Sequence, residues 1–270
     1  MNDLAETVLA SSRGRSPLEA APGRHAAPGL AAPGHAAPRH AAPRHTFESC
    51  VERLATAIRL GVYPYGSTLP PERELATLLG VSRATVWESI GALRAAGMVS
   101  TTRGRGGGTV VDLEPPTPGD EPGADADGDR SRRPALLDAL VFRRVVEPGA
   151  CFVAATVGRS ATDLDELRAA HDRVRLAQSP AEHRQADSRL HLALAALTGS
   201  AYLVDAVTQV QAAVHEMLLA IPVLPTNIAH SNAQHAAIVA AVEAREPERA
   251  RRAMEEHCDD TAALLRGLLR

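Results

Sequence analysis

The sequence predicts a mainly α-helical protein with two folded domains, a small N-terminal domain that includes a hairpin and a C-terminal, all-α antiparallel helical bundle. Apolar residues recur at helical spacing through much of 46–113 and all of 134–270. A glycine-rich stretch in the first segment predicts the hairpin. Abrupt changes in composition delimit both segments.

Low-complexity sequence precedes and separates these domains. Four five-residue units, RHAAP, GLAAP, GHAAP and RHAAP, lie between Arg24 and Pro43. Because regularly spaced proline forbids helix and sheet, we expect residues 1–45 to be a disordered Ala/Pro/His-rich tail. Residues 114–133 are rich in acidic residues, Pro and Gly, and predict an extended linker. The predicted domains are therefore 46–113 and 134–270.

Composition also limits the class of protein. Hydrophobic residues make up 45% and charged residues 23% of the chain, which is typical of a globular protein. The sequence has no apolar run of about 18 residues and no signal-like N-terminus, which argues against a membrane span or secretion. Cys50, Cys151 and Cys258 lack Cys-x-x-Cys spacing and indicate reduced thiols, so we expect a cytoplasmic protein.

The N-terminal domain has the order helix, helix, turn, helix, hairpin. Helical spacing predicts helices over 47–60 and 71–79. Gly80 then supplies a turn, and Ser82 is a good N-cap for a third helix that ends near Ala96. The glycine-rich hairpin follows. This order predicts a winged helix-turn-helix, whose third helix docks by its N-terminal end in the DNA major groove. Its outward side chains there include Arg83, Thr85 and Trp87.

The C-terminal segment predicts six helices that end at Gly or Pro. Their expected ranges are 134–157, 161–178, 180–198, 200–221, 227–245 and 247–269. Pro148 lies inside the first helix and predicts a kink or a break. Short connections between such helices favour an antiparallel bundle.

Four side chains in the bundle have the types and spacing of metal ligands. Asp187 and His191 are four residues apart on one predicted helix, so both leave the same face. His235 and His257 lie 12 residues before and 10 residues after Pro247, so each is roughly 15–18 Å from the turn on two paired helices. One carboxylate and three imidazoles suit a divalent transition metal, above all zinc, with nickel or manganese as alternatives, and leave positions open for another ligand.

Other polar residues of the bundle each have two interpretations. Arg143 and Arg144 match the geometry of a carboxylate and are candidates to bind an effector, but an ion pair with a nearby acid such as Glu147 fits equally well. His215 and Asn232 are candidates to line the same cavity, with packing or a solvated position as the alternative.

The run from Leu69 to Val111 resembles the DNA-binding domain of the GntR family of bacterial transcription regulators. The resemblance lies in LPPERELA, in SRATV and in the wing sequence RGRGGG. It implies that Arg73 contacts a phosphate or a base edge. It also implies that Ser82, Arg83 and Thr85 lie at the groove and that the wing lies along the backbone or minor groove. The wing residues concerned are Arg103, Arg105 and Gly106.

Trp87 departs from the pattern of this family, which usually has a second arginine on the recognition helix. A bidentate arginine contact to guanine contributes about 1–3 kcal/mol of base discrimination. Trp87 therefore either loses that contact or replaces it with an apolar contact to a thymine methyl group.

Residues 134–268 resemble the FCD effector-binding domain of the FadR-type subfamily. The shared pattern is Asp-x-x-x-His followed by two His on the final pair of helices, here Asp187, His191, His235 and His257. The resemblance implies a metal that helps to hold a carboxylate effector. It also implies a homodimer that presents two winged helices to a pseudo-palindromic DNA operator.

The favoured hypothesis is a ligand-responsive transcription regulator, most simply a repressor, with no membrane partner. A metal-dependent hydrolase or lyase attached to a DNA-binding module is one alternative. The sequence contains neither H-E-x-x-H nor G-x-S-x-G, which argues against it. A direct metal sensor, in which the ion itself is the effector, is another alternative and uses the same residues.

Overall fold

The computed structural model describes residues 47–102, 107–114, 124–157 and 159–269. Its N-terminal part contains helices α1 (Phe47–Arg59), α2 (Glu72–Leu79) and α3 (Arg83–Ala95). Strands β1 (Val99–Thr102) and β2 (Gly108–Val111) form an antiparallel hairpin, with Val99 opposite Val111. The winged helix-turn-helix prediction is confirmed. The predicted tail, 1–45, and the wing residues Arg103, Arg105 and Gly106 lie outside the described residues.

The turn between α2 and α3 forms for the local reasons that the sequence indicates. Gly80 ends α2 in the left-handed conformation at φ +69°, which a side chain would disfavour. Two residues later the Ser82 hydroxyl accepts a hydrogen bond of 3.0 Å from the backbone N–H of Thr85. This cap satisfies one of the free N–H groups at the start of α3 and directs that end of the helix outward.

The C-terminal part is all-α in the described residues and contains six helices. They are α4 (Ala124–Thr156), α5 (Ala161–Leu176), α6 (Pro180–Ala196), α7 (Ala201–Leu219), α8 (Pro225–Glu243) and α9 (Pro247–Leu268). This number matches the sequence prediction, and most bounds differ from it by one or two residues. None of the described helices combines the length and apolar composition that a membrane span requires.

The start of α4 differs from the sequence prediction. The helix begins at Ala124, so the predicted linker is wrong over 124–133, while 115–123 lies outside the described residues. An acidic composition is typical of linkers, but the N-terminal end of a helix favours it as well. The helix also runs through Pro148 without the predicted break.

The winged domain packs against the bundle through α1 and α9. One buried apolar cluster extends from Val51 and Leu54 on α1 to Leu264, Leu265 and Leu268 near the end of α9. A second cluster fills the interior of the bundle around Leu190, Ile238 and Met254. The two parts of the chain therefore share a packed boundary.

Two close contacts fix this boundary at the C-terminal end of α9. The Arg59 guanidinium donates hydrogen bonds to the carbonyl oxygens of Arg266, Gly267 and Leu269, at 3.0, 2.6 and 3.0 Å. A Cβ atom on Gly267 would lie 2.9 Å from the Cα atom of Glu52, so only glycine permits this approach. The middle and the C-terminal end of α1 are thereby held against the C-terminal end of α9.

Candidate functional site

The four predicted metal ligands meet inside the bundle. Asp187 and His191 come from α6, His235 from α8 and His257 from α9. The centroids of the three imidazole rings lie 4.6 to 5.4 Å apart. Asp187 Oδ1 is 3.4 Å from His235 Nε2, and Asp187 Oδ2 is 3.9 Å from His191 Nε2. We call these four residues the cavity cluster.

Ring nitrogens in the cavity cluster are buried without hydrogen-bond partners. Among the described residues they are Nε2 of His191, both ring nitrogens of His235, and Nε2 of His257. Nδ1 of His191 also lacks a partner with hydrogen-bond geometry, although it lies within ion-pair distance of Glu147. Three imidazole ligand atoms, one from each ring, lie within 4.8 Å of one another. Because unsatisfied buried polar groups destabilise a fold, such a cluster requires another partner. The three nitrogens and the Asp187 carboxylate match the donor set of a divalent transition metal.

The electrostatics of the cluster favour the form of histidine that binds metal. Burial lowers the pKa of His235 to about 4, and the nearby Asp187 offsets only part of that effect. Burial likewise lowers the pKa of His257 well below its usual value, and the neighbouring His235 lowers it further. Neutral imidazole, which these rings present near pH 7, is the ligating form.

Glu147 on α4 contacts the edge of the His191 ring that faces away from the cavity cluster and thereby orients the ring. Its Oε2 atom lies 2.9 Å from His191 Nδ1, which leaves Nε2 facing the cluster. The same carboxylate accepts hydrogen bonds from Arg143 Nε, at 3.0 Å, and from Gln211 Nε2, at 2.6 Å. Burial raises the pKa of Glu147, but Arg143 and His191 outweigh it and hold that pKa well below its usual range. An outer carboxylate of this kind fixes ring orientation and ligand basicity.

Sequence reasoning treated Glu147 only as a partner of Arg143 and missed its contact with His191. The available signal was the four-residue spacing of Arg143 and Glu147, which places both on one face of α4. Gln234 was also missed. Its Oε1 atom lies 3.1 Å from His257 Nδ1, so His257 too presents Nε2 to the cluster.

A cavity of about 70 Å³ adjoins the cluster and has polar and apolar walls. Its volume has room for roughly five water molecules. Arg143, Asp187 and His257 line it, together with apolar side chains that include Leu218 and Ile221. The Nη1 atom of Arg143 is buried and has no hydrogen-bond partner. A buried guanidinium with an N–H group that has no partner among the described residues is suited to hold an anion beside this candidate metal site.

The structure separates the remaining effector candidates. Arg144 is half-exposed, bonds to Asp259 at 2.7 Å and does not line the cavity. Successive helical residues point about 100° apart, so only Arg143 faces the cavity. His215 is not among the lining residues, because Val214 and Leu218 form that part of the wall.

Asn232 lies one layer behind the cavity. Its Oδ1 atom is 3.1 Å from Nε2 of His183, and His183 lines the cavity. Asn232 therefore supports a lining residue that sequence reasoning had not selected. His183 lies one turn before Asp187 on α6, and that spacing was the available signal.

The predicted DNA-reading side chains among the described residues lie on α2 and at the N-terminal end of α3. Arg73, Ser82 and Arg83 are exposed and Thr85 is half-buried. Arg73 and Arg83 form no ion pair with any described residue. Trp87 is 62% exposed, which is unusual for a large apolar side chain that no partner covers. Exposed arginine and tryptophan side chains on these two helices are suited to contact DNA.

Comparisons with known proteins match both parts of the chain. Residues 46–111 match the family described as "Bacterial regulatory proteins, gntR family", and residues 138–260 match the "FCD domain". The HTH-type transcriptional regulator RmpR of Mycobacterium gastri is 33% identical over 223 residues, which span 78% of this chain and 76% of that protein.

Two further comparisons cover a shorter stretch of the chain or have low sequence identity. The HTH-type transcriptional regulator GgaR of Escherichia coli K12 is 47% identical over 60 residues, which are 22% of this chain and 23% of that protein. A solved structure of a Streptococcus agalactiae GntR protein is 23% identical, covers 80% of this chain and 98% of its own, and has a TM-score of 0.43. On the family matches and the relationship to RmpR, the chain belongs to the GntR family with a C-terminal FCD domain, and is a DNA-binding transcription regulator and not an enzyme.

Proposed function

We propose that this regulator is a homodimeric repressor that senses a small carboxylate at a metal ion held by the cavity cluster. The observation that carries the proposal is the meeting of unpartnered imidazole nitrogens with the unpartnered Arg143 Nη1 at one small cavity. The imidazole nitrogens can bind a cation, and the guanidinium N–H can bind an anion. A metal ion with a bound carboxylate satisfies both.

Zinc is the metal we propose. Three imidazoles and one carboxylate form a nitrogen-rich donor set, which suits zinc, while nickel and manganese accept the same ligand types. When bound, the ion supplies a Lewis-acidic centre to which a carboxylate oxygen can bind. Asp187 supplies the one anionic ligand, and Glu147 and Gln234 hold two of the rings in position.

The effector that we propose is a small carboxylate. Arg143 is fully buried, and Glu147 occupies its Nε atom while Nη1 remains available to an anion. The cavity volume of about 70 Å³ limits the enclosed part of the effector to a few heavy atoms. Leu218 and Ile221 on the wall favour a short apolar substituent beside the carboxylate.

An exposed apolar stripe on α4 supports the dimer. Val141 and Val145 are 66% and 70% exposed, and Phe142 lies beside them, also exposed. Because these side chains share one side of the helix, they form a continuous apolar surface. A two-fold axis would pair this surface with its own copy. We therefore expect Val145→Glu to convert the dimer into a monomer, as measured by light scattering, and Leu176→Glu, an exposed control on α5, to leave it dimeric.

Binding of the dimer to its operator is sufficient for repression. A dimer that covers its operator blocks transcription without a further activating surface. Release requires only that the carboxylate bind more tightly to a dimer arrangement that does not fit the operator.

The proposal is tested by fluorescence anisotropy of a labelled duplex from the gene's own upstream region, with a scrambled duplex as reference. Salt is held constant because non-specific affinity varies steeply with it. We expect selective binding by the wild type and a loss of selectivity of roughly tenfold in Arg83→Ala, which removes a base contact. Arg94→Ala, at the opposite end of α3, is the matched control.

The same anisotropy measurement, repeated with an added carboxylate or a chelator, separates the remaining alternatives. We expect acetate or succinate to release the zinc-loaded protein from the upstream duplex. Release on chelation alone, with no response to carboxylates, would instead identify a direct metal sensor. Equal binding to both duplexes would contradict the repressor assignment at this promoter.

A further inference from the structure

A buried carboxylate of the winged domain faces the effector domain. Glu48, in the first turn of α1, is 0% exposed. Its Oε1 atom accepts a hydrogen bond of 3.0 Å from Asn227 Nδ2, and both of its oxygens lie 3.1 Å from His230 Nδ1. Asn227 and His230 belong to α8 of the bundle. The carboxylate therefore joins the two domains through polar contacts at the edge of their apolar boundary.

These partners lead back to the cavity cluster. His230 Nε2 lies 3.8 Å from Asp260 Oδ2. The same Oδ2 atom accepts a hydrogen bond of 2.8 Å from Gln234 Nε2, and Gln234 Oε1 lies 3.1 Å from His257 Nδ1. A continuous row of polar contacts thus runs from a cavity imidazole to α1. We call His257, Gln234, Asp260, His230 and Glu48 the relay.

The charges along the relay alternate in a way that stabilises it. The ring of His230 lies between two carboxylates, one from each domain. The hydrogen bond with Glu48 raises the pKa of His230, against the opposing effect of burial. A cationic imidazole there satisfies both Glu48 and Asp260. Displacement of Asp260 would therefore change how firmly His230 holds α1.

The structure shows one orientation of the Gln234 amide, and turning the amide over would give a second. When His257 Nε2 is committed to a ligand, its Nδ1 atom carries the proton and donates to Gln234 Oε1, which directs the Gln234 amide N–H to Asp260. When His257 adopts the other tautomer, Nδ1 becomes an acceptor, and the Gln234 amide satisfies it only by turning over. Asp260 then faces a carbonyl oxygen in place of an N–H donor.

We propose that the relay transmits occupancy of the cavity to the winged domain by means of this turn of the Gln234 amide. The inference rests on the proposed function, because it takes a ligand at His257 Nε2 as its input, and it adds the route by which that ligand regulates DNA binding. The route is a contiguous network with a two-state element at its centre. It enters the winged domain at Glu48, whose hydrogen bonds with Asn227 and His230 cross the boundary.

Hydrogen exchange of the full-length protein with zinc as the ligand tests the relay. Zinc is added to protein that has been stripped with a chelator, and exchange is followed in α1 (47–59) and around His235 and His257. We expect zinc to slow exchange in both places, in α1 by roughly fivefold, the lower end of coupling between linked sites. The variant Asp187→Ala, which lacks one ligand, shows whether the response comes from the cavity cluster or from the His-rich tail.

The informative variant is Glu48→Gln, which keeps an acceptor for Asn227 but removes the charge that faces His230. We expect it to bind zinc within about twofold of the wild-type affinity while α1 no longer responds. The matched control is Glu52→Gln, also on α1, which loses the ion pair with Arg266 but lies outside the relay. Its α1 response should equal that of the wild type. If Glu48→Gln fails to fold, His230→Gln breaks the same contact from the bundle side.

The outcomes separate the relay from the proposed function. Zinc binding by the wild type without a response in α1 would overturn the relay and leave the metal site standing. A wild-type response in Glu48→Gln, or in His230→Gln where that replaces it, would do the same. No zinc bound at the cavity cluster would overturn the metal part of the proposed function, and the relay with it.

Discussion

Two histidine clusters in this molecule use the same side chain in opposite electrostatic states. In the cavity cluster, three buried imidazoles face one another, and burial lowers the pKa of His235 and His257. In the boundary cluster of Glu48, His230 and Asp260, one imidazole lies between two carboxylates, and its pKa is raised. Both groups have ligand atoms close enough for a metal.

The partners of the ring nitrogens account for the difference. His235 and His257 have ring nitrogens without partners among the described residues. Among the three cavity rings, Asp187 lies near His191 and His235 only, and Glu147 contacts His191 alone. His230 has a carboxylate near each of its ring nitrogens, so the boundary cluster is satisfied by a proton. Proximity of ligand types alone therefore does not identify a metal site. The unsatisfied nitrogens in a low-dielectric interior are what favours the metal proposal at the cavity cluster over one at the boundary cluster.

Among the variants that test the difference between the two clusters, Asp187→Ala is expected to have the largest effect on zinc affinity. It removes the only anionic ligand of the cavity cluster, so we expect zinc affinity to fall by more than about a hundredfold, since loss of an outer partner alone costs about 10- to 100-fold. Competition with a chromophoric chelator measures it. The control His230→Gln removes a histidine from the boundary cluster, and a similar loss there would show that the boundary cluster also holds metal.

A smaller loss of zinc affinity is expected when the three cavity imidazoles are kept and a residue that orients one of them is changed. Glu147→Gln keeps an acceptor for Arg143 and Gln211 but weakens the acceptor for His191 Nδ1, so we expect zinc affinity to fall about tenfold. The same competition assay applies. Glu255→Gln, which alters an exposed ion pair with Arg144, is the matched control. An unchanged affinity in Glu147→Gln would mean that packing alone orients His191.

The smallest effect is expected in the pH dependence of the boundary cluster. The pKa of His230 in the folded protein is raised above its unfolded value of about 6.5. The contribution of His230 to the free energy of unfolding is therefore fully present below pH 6.5 and is lost as the pH rises through the folded pKa. Glu48, Asp260 and the nearby His257 face this ring, and His257 stays neutral because its pKa is lowered. A third of the ring is exposed, so solvent screening limits the contribution to about 1 kcal/mol or less.

Trp87 provides the measurement for this pH effect. It is the single tryptophan of the chain and lies in the winged domain, so its fluorescence follows the unfolding of that domain in urea. The wild type should exceed His230→Gln in stability by more at pH 6 than at pH 8.5. An advantage that is independent of pH would show that His230 packs at the boundary as a neutral ring.

Much of the fold could be predicted because its signals are local. Gly80 and Ser82 mark the turn before α3, and Pro180, Pro225 and Pro247 lie at the starts of three bundle helices. The start of α4 could not be predicted, because an acidic segment is compatible with either a linker or a helix terminus. The tail 1–45 and the wing residues 103–106 remain predictions.

The residues of the candidate site also divide into those that local spacing predicts and those that it does not. Asp187 and His191 share a helix face by spacing alone, and His235 and His257 are equidistant from one turn. Between Arg143 and Arg144 the sequence offered no choice, since either could face the bundle interior. The answer depends on the rotation of α4 about its own axis, which its packing partners set.

The sequence by itself determined the helices, their order, the winged helix-turn-helix and the set of residues in the cavity cluster. Those features depend on spacing within one helix or across one turn. Only the tertiary structure decided that Glu147 supports His191, that Gln234 and Asp260 join His257 to His230, and that Glu48 is buried against the bundle. Each of these contacts crosses between helices, and helical periodicity does not specify the register at which two helices meet.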